Sequence, residues 1–148
     1  MTSRETTGLH LWLLLWKAFN SVRAYATGDI EKLGLGLSDF AILEVLLHKG
    51  PAPVNEIGKR VLLTSGSMTV AVDRLERKGL VERRSDETDR RTRVIHLTLE
   101  GRKTIEALFS RHAASMNELG QELTPRERDE AARLLRKLGR AARDKLSS

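Results

Sequence analysis

The sequence predicts a mainly α-helical fold that carries one small β-hairpin. Three observations point there. Apolar residues recur at three- and four-residue steps over most of the 148 residues, the period of a helix with one buried face. Side chains suited to open a helix stand at Ser38, at Thr64 or Ser65, at Thr98 and at Thr124, each just ahead of such a stretch. A single segment, residues 80–97, changes to two-residue alternation around a polar centre, the signature of two short strands and their loop.

The first helix is expected from near Thr7 to Tyr25. Leu9, Trp12, Leu13, Trp16 and Phe19 mark its apolar face, and Leu11, Leu14 and Leu15 widen it, so the helix needs cover on more than one side. Gly28, Gly34 and Gly36 then punctuate a connection. Ser38 is the expected cap of a second helix, Asp39 to His48, with Phe40, Leu43, Leu46 and Leu47 inward and Gly50-Pro51 as its stop. Pro53 suits the first position of a short third helix through Glu56, Ile57 and Arg60. A fourth helix, capped by Thr64 or Ser65, buries Met68, Val72 and Leu75 and stops at Gly79, in the C′ position that favours glycine. Strands follow at Leu80–Arg84 and Arg93–Leu97, joined by the polar loop Ser85–Thr92. Thr98 caps a fifth helix through Ile105, Leu108 and Phe109 toward Leu119. Thr124-Pro125-Arg126-Glu127 is a capping box with proline at the first helical position, and it opens a sixth. That helix carries a seam of Ala131, Leu134, Leu135, Leu138 and Ala142 among six arginines, Arg126, Arg128, Arg133, Arg136, Arg140 and Arg143.

Composition narrows the function. A formal net charge of +6 favours an anionic partner, nucleic acid ahead of a membrane surface. There is no cysteine, which removes disulfides, thiolate metal sites and thiol redox switching. His10, His48, His96 and His112 lack metal-ligand spacing, so no metal or other cofactor is expected. Leu9–Trp16 is apolar but far shorter than the roughly 20 residues of a membrane span, and Lys17 with no small-residue cleavage site argues against a signal peptide. A cytoplasmic protein is expected. Catalysis has no foothold: no nucleophile–base order or paired carboxylates emerge, and Gly34-Leu35-Gly36 lacks both the spacing and the strand-to-helix setting of a dinucleotide site.

The chemistry concentrates between Thr64 and Arg93. Small hydroxyls at a helix start, Ser65, Ser67 and Thr69, can donate to phosphates or base edges, Gly66 permits close approach, and the helix N-terminus adds free N–H groups. Arg74, lower on the same helix, can reach a guanine edge or a phosphate; a good bidentate base contact is worth about 1–3 kcal/mol of discrimination. Arg90 or Arg91 at the loop tip can enter a minor groove, with Asp89 holding a neighbouring arginine in place. Each piece has a plainer explanation: a serine-rich start is ordinarily a cap, and a charge run interrupted by Glu82, Asp86, Glu87 and Asp89 is ordinarily a solvated face. Their order within about 35 residues, a cap, a basic helix, a Gly-Leu stop, alternating strands and an Asp-Arg-Arg loop, is with the short helix before it that of a winged helix-turn-helix, whose second helix enters the major groove.

Leu37-Ser38-Asp39-Phe40, Val72-Asp73-Arg74-Leu75, Lys78-Gly79-Leu80-Val81-Glu82-Arg83, Asp89-Arg90-Arg91 and Leu97-Thr98-Leu99-Glu100-Gly101 resemble the MarR (multiple antibiotic resistance regulator) family of winged-helix transcription factors. The resemblance implies one domain over residues 1–148, with the winged helix-turn-helix at about 38–99 and dimerisation helices at about 7–27 and 100–146. It further implies a homodimer on a pseudo-palindromic operator, with Ser65, Ser67, Thr69 and Arg74 in the major groove. Arg91 best matches the minor-groove arginine, with Asp89 as its companion. Leu46, His48-Lys49-Gly50 and Leu63–Thr69 are worded most like a branch that answers to quinones and phenols. Relatives that sense oxidants through a cysteine near the first helix have no counterpart here.

The expected function is thus a homodimeric DNA-binding repressor relieved by a small aromatic ligand. The alternative is a winged-helix module that binds acidic proteins and not DNA. His10, Trp16 and Phe40 are candidate ligand contacts, although each also fits a core or interface position.

Overall fold

A computed structural model describes residues 5–148. Six helices and three short strands follow one another as α1 (Gly8–Glu31), α2 (Leu37–Lys49), β1 (Ala52–Pro53), α3 (Val54–Val61), α4 (Ser65–Arg77), β2 (Val81–Ser85), β3 (Arg93–Leu97), α5 (Leu99–Gly120) and α6 (Pro125–Leu146). The chain divides into two compact units, one ending at His112 and the other running Ala113–Ser148, so the break falls within α5.

Several starts and stops are set by single side chains. Thr7 caps α1 by accepting from the His10 amide at 3.2 Å. Thr64 rather than Ser65 caps α4. Gly79 stands one residue past the α4 cap at φ +73°, and its amide and that of Leu80 return to the carbonyls of Glu76 and Leu75. The capping box of α6 is present: Thr124 Oγ1 accepts from the Glu127 amide at 3.2 Å and Glu127 Oε2 accepts from the Thr124 amide at 2.8 Å.

Four boundaries differ from those the sequence suggests. The first helix continues past Tyr25 to Glu31 with Gly28 inside it, because Thr27 and Ile30 are buried and their packing outweighs the cost of one glycine. The cap of α2 is Gly36, not Ser38; the Asp39 carboxylate reaches back to the Gly36 amide at 3.0 Å, which draws Leu37 and Ser38 into the helix. Pro53 precedes α3 as its cap and belongs to β1, an edge strand, where its missing N–H is tolerated. The first hairpin strand starts at Val81, one residue later than expected. The sheet is therefore three-stranded and antiparallel in the order β1-β3-β2, with Ala52 opposite Ile95 and Arg83 opposite Ile95 on the other side.

The core of the first unit joins Phe40, Leu43 and Leu46 of α2, Ile57 of α3, Met68, Val72 and Leu75 of α4, Val81 and Ile95 of the sheet, and Ile105 and Leu108 of α5. Along α1 burial is confined to the C-terminal end, and Leu9, Trp12, Trp16 and Phe19 are exposed. In the second unit no residue of α6 is buried, and Leu134, Leu135 and Leu138 stand exposed.

The corner between the hairpin and α5 is tight. Thr98 Oγ1 donates to the Gly79 carbonyl at 2.6 Å and accepts from the Gly101 amide at 2.9 Å, so one hydroxyl ties the end of α4 to the start of α5. A side chain at Gly101 would put its Cβ 1.8 Å from the Leu80 carbonyl oxygen. That is backbone and cannot give way as a flexible side chain does. Gly101→Ala is expected to cost about 3 kcal/mol of stability, seen as a lower urea midpoint; an unchanged midpoint would show that this corner is loose.

Candidate nucleic-acid interface

Met68, Ala71, Val72 and Leu75 bind one side of α4 to the core. The helical period then leaves Ser65, Gly66, Ser67, Thr69 and Val70 exposed at its N-terminal end. Thr64 Oγ1 accepts from the Ser67 amide at 3.2 Å and donates to Ser67 Oγ at 3.0 Å. Thr69 Oγ1 donates to the Ser65 carbonyl at 3.0 Å. Thr64, Ser65, Gly66, Ser67 and Thr69 thus lie on one helix end, as the sequence implies.

Arg74 is placed differently. Its Nη2 donates to Asp39 Oδ1 at 2.6 Å and its Nε lies 3.1 Å from Oδ2. The hydrogen bonds it donates to Asp39, with the carboxylate's charge, hold the guanidinium protonated beyond its ordinary range. Asp39 is 1% exposed. A carboxylate so buried needs donors on both oxygens, and it has them in Arg74 and the Gly36 amide. Arg74 is committed to fastening α4 to the start of α2.

A second clamp fixes α4 to the sheet. Arg83 of β2 donates through Nη2 to Asp73 Oδ1 at 2.6 Å and through Nη1 to Glu76 Oε1 at 3.1 Å, while its own amide donates to Glu76 Oε2 at 3.1 Å. Sequence reading missed Asp39, Asp73, Glu76 and Arg83. Asp39 leaves only a faint local signal, a carboxylate three residues after Gly36, and Arg83 is disguised by the charges around it.

The loop between β2 and β3 is shaped by its acidic residues. Asp86 Oδ1 accepts from the Thr88 amide at 3.2 Å, and the Asp86 amide donates to the Thr92 carbonyl at 2.9 Å. Asp89 accepts from the Arg91 amide at 3.0 Å and from the Thr92 hydroxyl at 3.2 Å. Asp89 therefore shapes the loop through the backbone of Arg91, not through a guanidinium as the sequence suggests. Arg90 and Arg91 are exposed, and among the described residues neither guanidinium is paired with a carboxylate. The result is a loop shaped by its own hydrogen bonds, with two cations at its tip that pair with no carboxylate among the described residues.

The three candidate ligand contacts fall in two environments. Phe40 is a core residue, 3% exposed, with its ring 4.9 Å from that of His112. His10 and Trp16 are exposed on α1, where Trp16 lies against Trp12 at 6.0 Å. Among the described residues no helix is long and apolar enough to cross a membrane.

Removing Arg74 alone strands the buried Asp39 charge. Arg74→Met is expected to lose roughly 3 kcal/mol in urea unfolding, and adding Asp39→Leu to recover most of it. Equal losses in the single and double variants would mean that the pair is not coupled.

Comparison with known proteins bears on this geometry. Residues 33–92 match the model of the MarR family. The HTH-type transcriptional regulator MhqR of Bacillus subtilis is 37% identical over 131 residues, covering 88% of this chain and 90% of that protein. The HTH-type transcriptional repressor MdtR of the same organism is 30% identical over 142 residues, with 96% and 92% covered. Among solved structures, the transcriptional regulator BldR from Sulfolobus solfataricus superposes with a TM-score of 0.74 at 27% identity, covering 89% of this chain and 94% of that one. BpsR of Bordetella bronchiseptica, whose DNA binding is regulated by 6-hydroxynicotinic acid, shares the fold with a TM-score of 0.79 at 23% identity, covering 94% and 96%.

Proposed function

We propose that this chain, which belongs to the MarR family, works as a homodimeric repressor that a small aromatic ligand releases from DNA. Family membership makes it a DNA-binding transcriptional regulator and not an enzyme. The observation that carries the finer reading is the rigid mounting of α4: one face in the core, two ion-pair clamps, and an exposed end of small residues, with a shaped loop offering Arg90 and Arg91. In this reading Thr64 caps the helix, Ser65, Ser67 and Thr69 meet phosphates and base edges, and Gly66 lets the duplex come close. Arg91, with Arg90 beside it, enters the minor groove, and Asp89 sets the loop. Arg74 positions the helix and does not itself touch DNA.

Two apolar faces support self-association. Trp12, Trp16 and Phe19 are each more than half exposed on α1. Leu134, Leu135 and Leu138 are each more than 40% exposed on α6. Covering such surface in a second copy recovers about 25 cal/mol per Å². A dimer presents two α4 helices to a pseudo-palindromic site, and only one separation matches major-groove segments about 10 base pairs apart. A ligand that binds best to a mismatched separation releases the DNA. Full reversal from 1:99 to 99:1 takes about 5.5 kcal/mol of differential affinity.

The wording of residues 63–69 and the aromatic face of α1 favour a phenol or quinone as effector, with His10 and Trp16 as its exposed contacts; Phe40, sealed in the core against His112, is left to packing. With no cysteine in the chain, a quinone would act by non-covalent binding, not by alkylating a thiol.

Duplex DNA from upstream of the chain's own coding region, titrated at two salt concentrations, tests the reading. Tight, sequence-selective binding that weakens steeply with salt is expected; no selective binding would favour the acidic-protein module instead. Arg91→Ala is expected to lower operator affinity, reduce the salt slope by about 1 and erase preference at A·T-rich flanks; unchanged affinity would remove Arg91 from the minor groove. Leu135→Glu is expected to give monomers in sedimentation and poor operator binding. A tight-binding dimer in that variant would move the interface off α6.

A further inference from the structure

Five residues of α4 have apolar side chains, and Met68, Ala71, Val72 and Leu75 are all buried. Val70 is not: it is 59% exposed. Valine gains nothing on the solvent side of a helix, where β-branching lowers helix propensity. It also stands at the middle of the outward stripe, four residues after Gly66 and seven before Arg77. A Cβ placed on Gly66 would meet nothing within 4 Å, so the surface one turn ahead of Val70 is open. Ser38, Ser67, Val70 and Arg74 line an open groove along this side of the helix.

We propose that Val70 is a specificity-determining residue that reads the C5-methyl group of thymine. The proposal rests on the major-groove placement of α4 given above. In that groove the bases are told apart by hydrogen-bond donors and acceptors and by one apolar group, the thymine methyl, which cytosine replaces with a bare C–H. Pressing the two valine methyls against a cytosine amino group or a guanine carbonyl would remove water from it without replacing the hydrogen bond. Against thymine they bury methyl on methyl. The single preferred χ1 rotamer of valine in a helix means that little freedom is lost on contact. The surrounding hydroxyls tolerate several bases, so this residue supplies selectivity that they do not.

The test starts from duplexes enriched by the full-length protein from a random-sequence pool. Each thymine of a selected half-site is replaced singly by deoxyuridine, which deletes only the C5-methyl. Binding is measured for the parent and for Val70→Ala, a change that favours the helix. One thymine per half-site is expected to be methyl-sensitive in the parent, losing about three- to fivefold on conversion to deoxyuridine. In Val70→Ala that ratio is expected to fall below about twofold, with all other positions unaffected. Parent binding that ignores every methyl deletion, or a sensitivity that survives in Val70→Ala, would overturn the assignment. Failure to enrich any sequence would instead remove the DNA-binding reading beneath it, and the Val70 assignment with it.

Discussion

The Asp39 carboxylate is nearly sealed from water, and it is satisfied by groups from two places: the Gly36 amide at the head of α2 and the Arg74 guanidinium of α4. Much of the winged domain follows from that arrangement. A buried carboxylate without its cation is costly, so α4 must dock on α2 in the register that brings Arg74 to it. With α4 so held, the Arg83 clamp to Asp73 and Glu76 sets β2 beside it, and β2 carries the loop with Arg90 and Arg91. The helix proposed to meet DNA and the loop proposed to flank it are thus referenced to one charged contact. Thr98 and Gly101 close the far corner, leaving no room for a methyl group at residue 101.

Stability and function divide the surface between them. The core lies beneath α2, α3, α4, the sheet and the first half of α5. The apolar face of α1 adds little to it, and α6, in the second unit, has no buried residue. This division is what the proposed dimer needs: a firmly packed reading head, with apolar surface left over for a second copy.

Much of this was legible because the signals were local. The capping box at Thr124–Glu127, the Thr64 cap and Gly79 at C′ each involve residues three or four apart, and the structure has all of them. Signals over longer distances were not legible. Asp39 and Arg74 are 35 residues apart, and nothing in either segment names its partner, so the ion pair between them left no trace in the sequence. Arg83 resembled its charged neighbours because its partners on α4, Asp73 and Glu76, and not composition, set it apart. The strand β1 is two residues long and contains a proline, below any periodic signal. The end of α1 was hidden by Gly28, whose cost is outweighed by the burial of Ile30. Val70 carried no signal of its own, because it sits off the stripe of Met68, Val72 and Leu75 and only its exposure sets it apart.

The sharpest question is whether Arg74 holds the reading helix or reads DNA itself. Asp39→Leu/Arg74→Met replaces the ion pair with apolar groups of similar size, and the salt dependence of its operator affinity answers directly. If Arg74 only positions α4, the folded double variant is expected to bind within about fivefold of the parent and with the same slope of log K against log salt. A loss of a hundredfold or more, with the slope reduced by about 1, would make Arg74 a DNA contact and contradict the role assigned to the Asp39 pair.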